Sequence, residues 1–136
     1  MEEYITHSEE ETKAQGKALV TRLRKGAVLA LSGDLGAGKT VFVKGMAEGL
    51  GITEPILSPT FTLLRQYKGL NHFDVYRIDD PEELDEIGFD EFLGGEDITV
   101  IEWAELITEL LPEDRVSVHI RRGEADQERK ITIEGI

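Results

Sequence analysis

The sequence predicts a single three-layer α/β domain spanning residues 1–136, with helices on both faces of a mixed central sheet and antiparallel strands added to a parallel centre. Three observations carry that reading. A short apolar run, Val28 to Ser32, enters a glycine-rich loop, and Phe42, Met46 and Leu50 then recur at helical spacing. A second apolar run, Ile98 to Ile101, ends in an acid and has the profile of another buried parallel strand. Two pairs of segments, 61–67 with 70–78 and 116–120 with 131–133, read as hairpins.

Taken in order, Tyr4-Ile5-Thr6 suits a short first strand, and Ser8 suits an N-cap whose hydroxyl accepts from an unpaired amide of the next turn. Glu9 to Glu11 favour the positive end of a helix, Ala14, Ala18, Leu19 and Leu23 supply an apolar stripe, and Gly26 ends the segment. The helix of Phe42 and Met46 is closed by Gly51. A tight Lys68-Gly69 turn joins the first hairpin. On its second strand, Phe73 and Val75 point one way while His72, Asp74 and Tyr76 form a polar face. Asp80-Pro81-Glu82-Glu83 is a helix start, with an Asp cap, Pro at the first position and an acid three residues on. A short helix follows Glu102-Trp103 and stops at Pro112.

Composition narrows the function. The chain is 40% hydrophobic and 32% charged, a folded and not a disordered profile. Its 28 acids against 15 bases give a net charge of −13, which argues against a broad grip on a nucleic-acid backbone. The absence of cysteine excludes disulfides, thiolate metal sites and thiol nucleophiles, and three scattered histidines lack metal-ligand spacing. No apolar run reaches a membrane span, and Met-Glu-Glu-Tyr lacks the character of a signal peptide, so a cytoplasmic location is expected.

The chemistry begins with Gly33-Asp34-Leu35-Gly36-Ala37-Gly38-Lys39-Thr40, which fits G-x-x-x-x-G-K-[ST] at every fixed position. A random chain of this length would match in roughly 0.5% of cases. Glycines let the backbone curl so that successive amides face a phosphate at the start of a helix. Lys39 is a mobile cation for the β- and γ-phosphates, and Thr40 offers a hydroxyl to Mg²⁺. This is the phosphate loop of a P-loop NTPase-type domain. No [NT]-K-x-D guanine motif occurs, which favours ATP.

Hydrolysis also needs a carboxylate near the metal and a group that orients water. Glu102, directly after Thr99-Val100-Ile101, stands where such a carboxylate is expected, although Asp is commoner there. Asp74 is the other candidate. On spacing alone each also reads as an ordinary solvated strand acid, and Trp103 as a half-buried aromatic. Arg121-Arg122 reads as a solvated strand end and the acids from Glu82 to Glu86 as a solvated helix face.

Together the phosphate loop, Ser58-Pro59-Thr60-Phe61-Thr62-Leu63, His72-Phe73-Asp74-Val75-Tyr76-Arg77, Pro81-Glu82-Glu83-Leu84 and Ile101-Glu102-Trp103 resemble the TsaE family, the ATPase component of bacterial tRNA threonylcarbamoyladenosine synthesis. The likeness runs from the first helix to the final hairpin, and the Ser-Pro-Thr and His-Phe-Asp segments make it specific. It implies a slow ATPase using ATP and Mg²⁺, working with a threonylcarbamoyl transferase and its inactive paralogue in modifying adenosine 37 of tRNA. Hydrolysis would reset that complex, and tRNA would be met only indirectly, through the partners. By this likeness Lys39, Asp74 and Glu102 are the catalytic residues, Thr40 and Glu102 hold Mg²⁺, and Asp74 orders the water or supports the metal shell. Nucleotide would be bound by Gly33 to Thr40, by Val41 and by a basic residue of the last hairpin, Lys130 or Arg129. Ser58-Pro59-Thr60 would sense the γ-phosphate, Trp103 would lie beside the nucleotide or the partner, and the segment from Thr6 to Thr12 would flank adenine. One departure is Val41, where many relatives repeat Thr, which leaves only an amide.

Two other readings compete with a partner-gated ATPase. One is a nucleotide-dependent switch with little hydrolysis. The other is a small-molecule kinase, which normally carries an Arg-rich lid, whereas residues 82–102 contain no Arg or Lys.

Overall fold

The computed structural model describes residues 1–34, 36–57 and 63–136. The elements in chain order are β1 (Glu2–Thr6), α1 (Glu9–Val20), β2 (Val28–Gly33), α2 (Lys39–Gly49), β3 (Leu64–Tyr67), β4 (Leu70–Asp74), α3 (Glu82–Glu86), α4 (Phe89–Leu93), β5 (Ile98–Glu102), a 3-10 helix (Ala104–Leu110), β6 (Val116–Arg122) and β7 (Arg129–Glu134). The strands form one mixed sheet in the order β1-β7-β6-β2-β5-β4-β3. Its centre, β6-β2-β5-β4, is parallel, while β3, β7 and β1 each pair antiparallel with their neighbours. The fold is therefore the expected α/β sheet with antiparallel additions, although β4 belongs to the parallel centre and only β3 is added there.

Alternation on β2 divides the core into two layers. Leu29 and Leu31 join Leu19, Phe42, Val43 and Met46 of α1 and α2. Val28 and Ala30 face Phe73, Leu84, Phe89, Ala104 and Ile107 on the opposite side. The α1–α2 contact differs from the expected stripe, because Ala14 and Ala18 are exposed while Thr12, Gly16, Leu19 and Val20 are buried. Small residues set that contact. A Cβ on Gly16 would lie 2.2 Å from Phe42 O, and one on Gly45 would lie 1.9 Å from Lys13 O, so the two backbones touch where only hydrogen fits.

The first hairpin is shorter than expected. Residues 61 and 62 lie outside the described residues, and β3 runs only from Leu64 to Tyr67. Strand β4 ends at Asp74 and not at Ile78, because the Asp74 carboxylate accepts the Tyr76 N–H at 3.0 Å and Ile78 N–H bonds back to Val75 O. The polar face expected on β4 is graded in exposure: His72 is fully buried, since β4 lies between β3 and β5 inside the sheet, Asp74 is half-buried and Tyr76, beyond the strand's end, is exposed. Ser8 caps α1 by accepting from Glu11 N–H, as expected. The expected Asp80 cap and its acid three residues on are present, although α3 is counted only from Glu82: Asp80 Oδ1 accepts from Glu82 N–H, and Glu83 reaches back to Asp79 N–H and Asp80 N–H. The helix expected before Pro112 is a kinked 3-10 segment.

Candidate functional site

The parallel strands β2, β5 and β4 end side by side at Gly33, Glu102 and Asp74, and their C-terminal edge is where the chain gathers its reactive groups. Gly33 closes β2 with φ 144°, and a Cβ there would sit 2.0 Å from Ile120 O of β6. Gly38 (φ 101°) turns the chain into α2 without a side-chain cap, which leaves the first amides of that helix for an external acceptor. A cavity of about 300 Å³ opens there, lined by Gly36, Gly38, Lys39, Thr40, Val41, Asp74, Glu102, Trp103, Ser8, Glu9, Thr12, Gln127 and Arg129.

Lys39 is only 5% exposed. Its ammonium donates to Gly33 O at 2.6 Å and to Asp34 O at 3.4 Å, and lies 3.6 Å from the centre of the Trp103 ring. Burial pushes this lysine below its ordinary range, against the pull of Glu102, Glu105, Asp74 and Asp34. Trp103 is held over it by an unusual backbone, with φ 63° directly after β5, and its ring meets Tyr76 at 4.6 Å. Asp74 is half-buried. Desolvation raises its carboxyl above the usual range and Glu102 adds repulsion, while the Tyr76 N–H opposes both. Glu102 is 3% exposed and accepts from His72 Nε2 at 2.5 Å, so it is not the solvated strand-end acid that spacing also allowed. Adjacent strands place Asp74 and Glu102 as direct register partners.

The profile of the family described as threonylcarbamoyl adenosine biosynthesis protein TsaE matches residues 6–131 of this chain. The chain belongs to the TsaE family. A Bacillus subtilis (strain 168) protein named tRNA threonylcarbamoyladenosine biosynthesis protein TsaE is 47% identical over 96% of this chain and 84% of its own length. A Treponema pallidum (strain Nichols) protein of the same name is 45% identical, over 95% of this chain and 97% of its own length. The crystal structure of Bacillus subtilis YdiB superposes with a TM-score of 0.83 at 43% identity, covering 97% of this chain and 83% of that one. The TsaE fold seen here is thus of the P-loop type.

Within this TsaE site, the structure brings Gly36, Gly38, Lys39, Thr40, Val41, Asp74 and Glu102 together around one cavity. Gly33 anchors Lys39, Ala37 is buried in the core beneath the loop, and Asp34 is exposed. Leu35 and the Ser58-Pro59-Thr60 segment lie outside the described residues. Of the two basic residues left open on the last hairpin, only Arg129 lines the cavity. The Lys130 ammonium pairs with Glu3 on β1 at 3.2 Å, whereas Arg129 sits beside Gly38, because neighbours on β7 point to opposite faces. Arg122, opposite Arg129 in the β6–β7 register, lies against Gly36 O at 3.4 Å and is more than a free strand end. Ser8, Glu9 and Thr12 fall in the segment expected beside adenine, and Thr12 is fixed by a 2.7 Å bond to Thr6. Gln127 was signalled by no pattern. The pairing of His72 with Glu102 was hidden too, because register across a parallel sheet is not written in local spacing.

Proposed function

We propose that this chain is a Mg²⁺-dependent ATPase of tRNA threonylcarbamoyladenosine biosynthesis, acting on adenosine 37 through a threonylcarbamoyl transferase and its inactive paralogue. The observation that carries the reading is the meeting of Lys39 and Thr40, at the uncapped start of α2, with Asp74 and Glu102 at the ends of two adjacent strands. The family's relatives carry that biosynthesis in their names.

The residues fit the proposed ligands. Mg²⁺ at a nucleotide keeps most of its water and needs one or two protein oxygens besides the phosphates, and the Thr40 hydroxyl and Glu102 carboxylate share this cavity. Bound there, the ion would neutralise charge on the transferring phosphoryl group. Lys39 would leave Gly33 O for the phosphates, and phosphate charge would offset the desolvation that weakens its ammonium. Asp74, raised by burial, is suited to accept a hydrogen bond from the attacking water and to take up its proton. Arg129 and Thr12, both beside Gly38, would flank the nucleotide. A net charge of −13 is consistent with leaving tRNA to the partners. Among the described residues no helix is long and apolar enough to cross a membrane.

The test is Mg²⁺-dependent ATP turnover by the chain alone and with the transferase pair added. Slow turnover that rises with the pair is expected, and Lys39→Ala should lower turnover or ATP affinity at least tenfold, about 1.4 kcal/mol. Turnover indifferent to the pair would detach the chain from that pathway, and an unaffected Lys39→Ala would sink the phosphate-loop assignment. One observation favours a nucleotide-dependent switch with little hydrolysis: Lys39 bonds its own loop and must be displaced by ligand. Glu102→Ala separates the two, since a pure switch keeps partner binding and function. The stretch 82–102, built of α3, α4 and β5, carries no basic residue for a kinase lid.

A further inference from the structure

His72 reaches no ligand-lining position, yet it is fully buried directly behind Glu102. The parallel register sets His72 opposite Val100 and Asp74 opposite Glu102, so the imidazole on β4 lies one step below the carboxylate at the end of β5. Nε2 stands 2.5 Å from Glu102 Oε2, and among the described residues no other hydrogen bond reaches that side-chain carboxylate. An ionised carboxylate only accepts, so Nε2 carries the hydrogen. Nδ1 is buried and has no partner among the described residues.

A core built only for stability would not choose this pair. It leaves a buried polar atom without a partner among the described residues, and a hydrogen-bonded polar pair in a core is often matched by apolar residues of similar volume when both are replaced. What the imidazole does supply is direction. It grips one oxygen of Glu102 and fixes a side chain that otherwise has several rotamers and a cation, Lys39, within the same cavity. Ligating carboxylates are commonly held in this way by a second hydrogen-bonding group, whose loss typically costs 10–100-fold in metal affinity or activity.

We infer that His72 is a positioning residue for metal binding, holding Glu102 through its Nε2–H so that the carboxylate faces the cation of a bound nucleotide. The inference rests on the proposed role of Glu102 as a Mg²⁺ ligand.

The test uses the lone tryptophan, Trp103 in the cavity wall, as a fluorescence reporter of ADP binding with and without Mg²⁺. His72→Leu fills the buried site without a donor. It leaves the buried Glu102 carboxylate without its donor, so it should melt below the wild type, yet bind ADP normally in the absence of Mg²⁺. Its half-saturating Mg²⁺ concentration for tightening ADP should rise about 10–100-fold. His72→Gln, whose amide nitrogen reaches the position of Nε2, should restore most of the wild-type Mg²⁺ response, while His72→Asn, one methylene shorter, should not. A leucine variant with the wild-type Mg²⁺ requirement would make His72 a mere core filler. If that variant does not fold, equal requirements in the glutamine and asparagine variants would overturn the inference instead. A wild-type protein whose ADP affinity ignores Mg²⁺ would overturn this inference together with the metal role of Glu102, whereas a wild-type dependence unchanged by His72 substitution overturns this inference alone.

Discussion

Replacing Trp103 by glycine and, separately, by alanine isolates the backbone demand at the end of β5. Both changes delete the ring that covers Lys39 and meets Tyr76, so their lost contacts are the same. They differ in what φ 63° costs. Alanine in the left-handed region is disfavoured by about 1–2 kcal/mol, a penalty glycine escapes. Glycine in turn gives up roughly 0.5–1 kcal/mol of chain entropy relative to alanine. The balance leaves the glycine variant ahead by about 0.5–1 kcal/mol, reversing the usual order of the two residues. In a chain of 136 residues that is a difference in Tm of about 2–5 °C. Thermal melts followed by far-ultraviolet circular dichroism read it directly, and ADP affinity should fall equally in both. An alanine variant that melts with or above the glycine variant would show that the turn relaxes once the ring is gone, and the strain argument would fail.

Three further outcomes follow from the same contacts. Gly45→Ala drives a Cβ to within 1.9 Å of Lys13 O and should destabilise the protein by about 1–3 kcal/mol in urea unfolding; a neutral result would mean that α1 and α2 separate freely. Asp74→Asn keeps the acceptor for Tyr76 N–H but removes a carboxylate that burial makes costly to ionise, so the ligand-free variant should melt higher at pH 7 while losing turnover and retaining ATP affinity. Because the folded-state pKa of Asp74 is raised, that stability gain should shrink as pH falls through the raised value towards 3.8, and melts across this window decide the point. Glu2 is the opposite case: its bidentate pairing with Arg22 and the bond from Tyr4 hold its carboxyl down to about 2. The stability it adds over Glu2→Gln should be complete above pH 4.5 and lost as pH falls towards 2; a difference that persists at pH 2 would contradict the pairing.

The parts of this architecture that sequence patterns reveal are those encoded locally. Val28 to Ser32 followed by the glycine loop announced β2 and the start of α2, and the Ser8 cap located α1. Misreadings arose where a partner decides. Ala14 and Ala18 look like an apolar stripe, but the face that packs is chosen by Gly16 and Gly45, whose missing side chains admit a neighbouring backbone. His72 alternates with Phe73 and so reads as part of a polar face, yet an internal strand buries both faces and alternation then says nothing about water. Arg129 and Lys130 are indistinguishable by type, and only the folded strand, whose alternate faces give Lys130 to Glu3 and Arg129 to the cavity, separates them.

Strand β1 has its partner in β7, far along the chain, while α1 follows β1 directly and brings Ser8 and Thr12 to the cavity at the phosphate loop. Strand β1 therefore has no sheet partner until β7 is in place. The phosphate loop leans on β5 and β6, whereas the wall formed by Ser8, Thr12 and Arg129 closes only when β1 and β7 meet. Damage to the β6–β7 hairpin would thus be felt twice at that cavity, through Arg129 itself and through β1, which loses its partner just before the segment that carries Ser8 and Thr12.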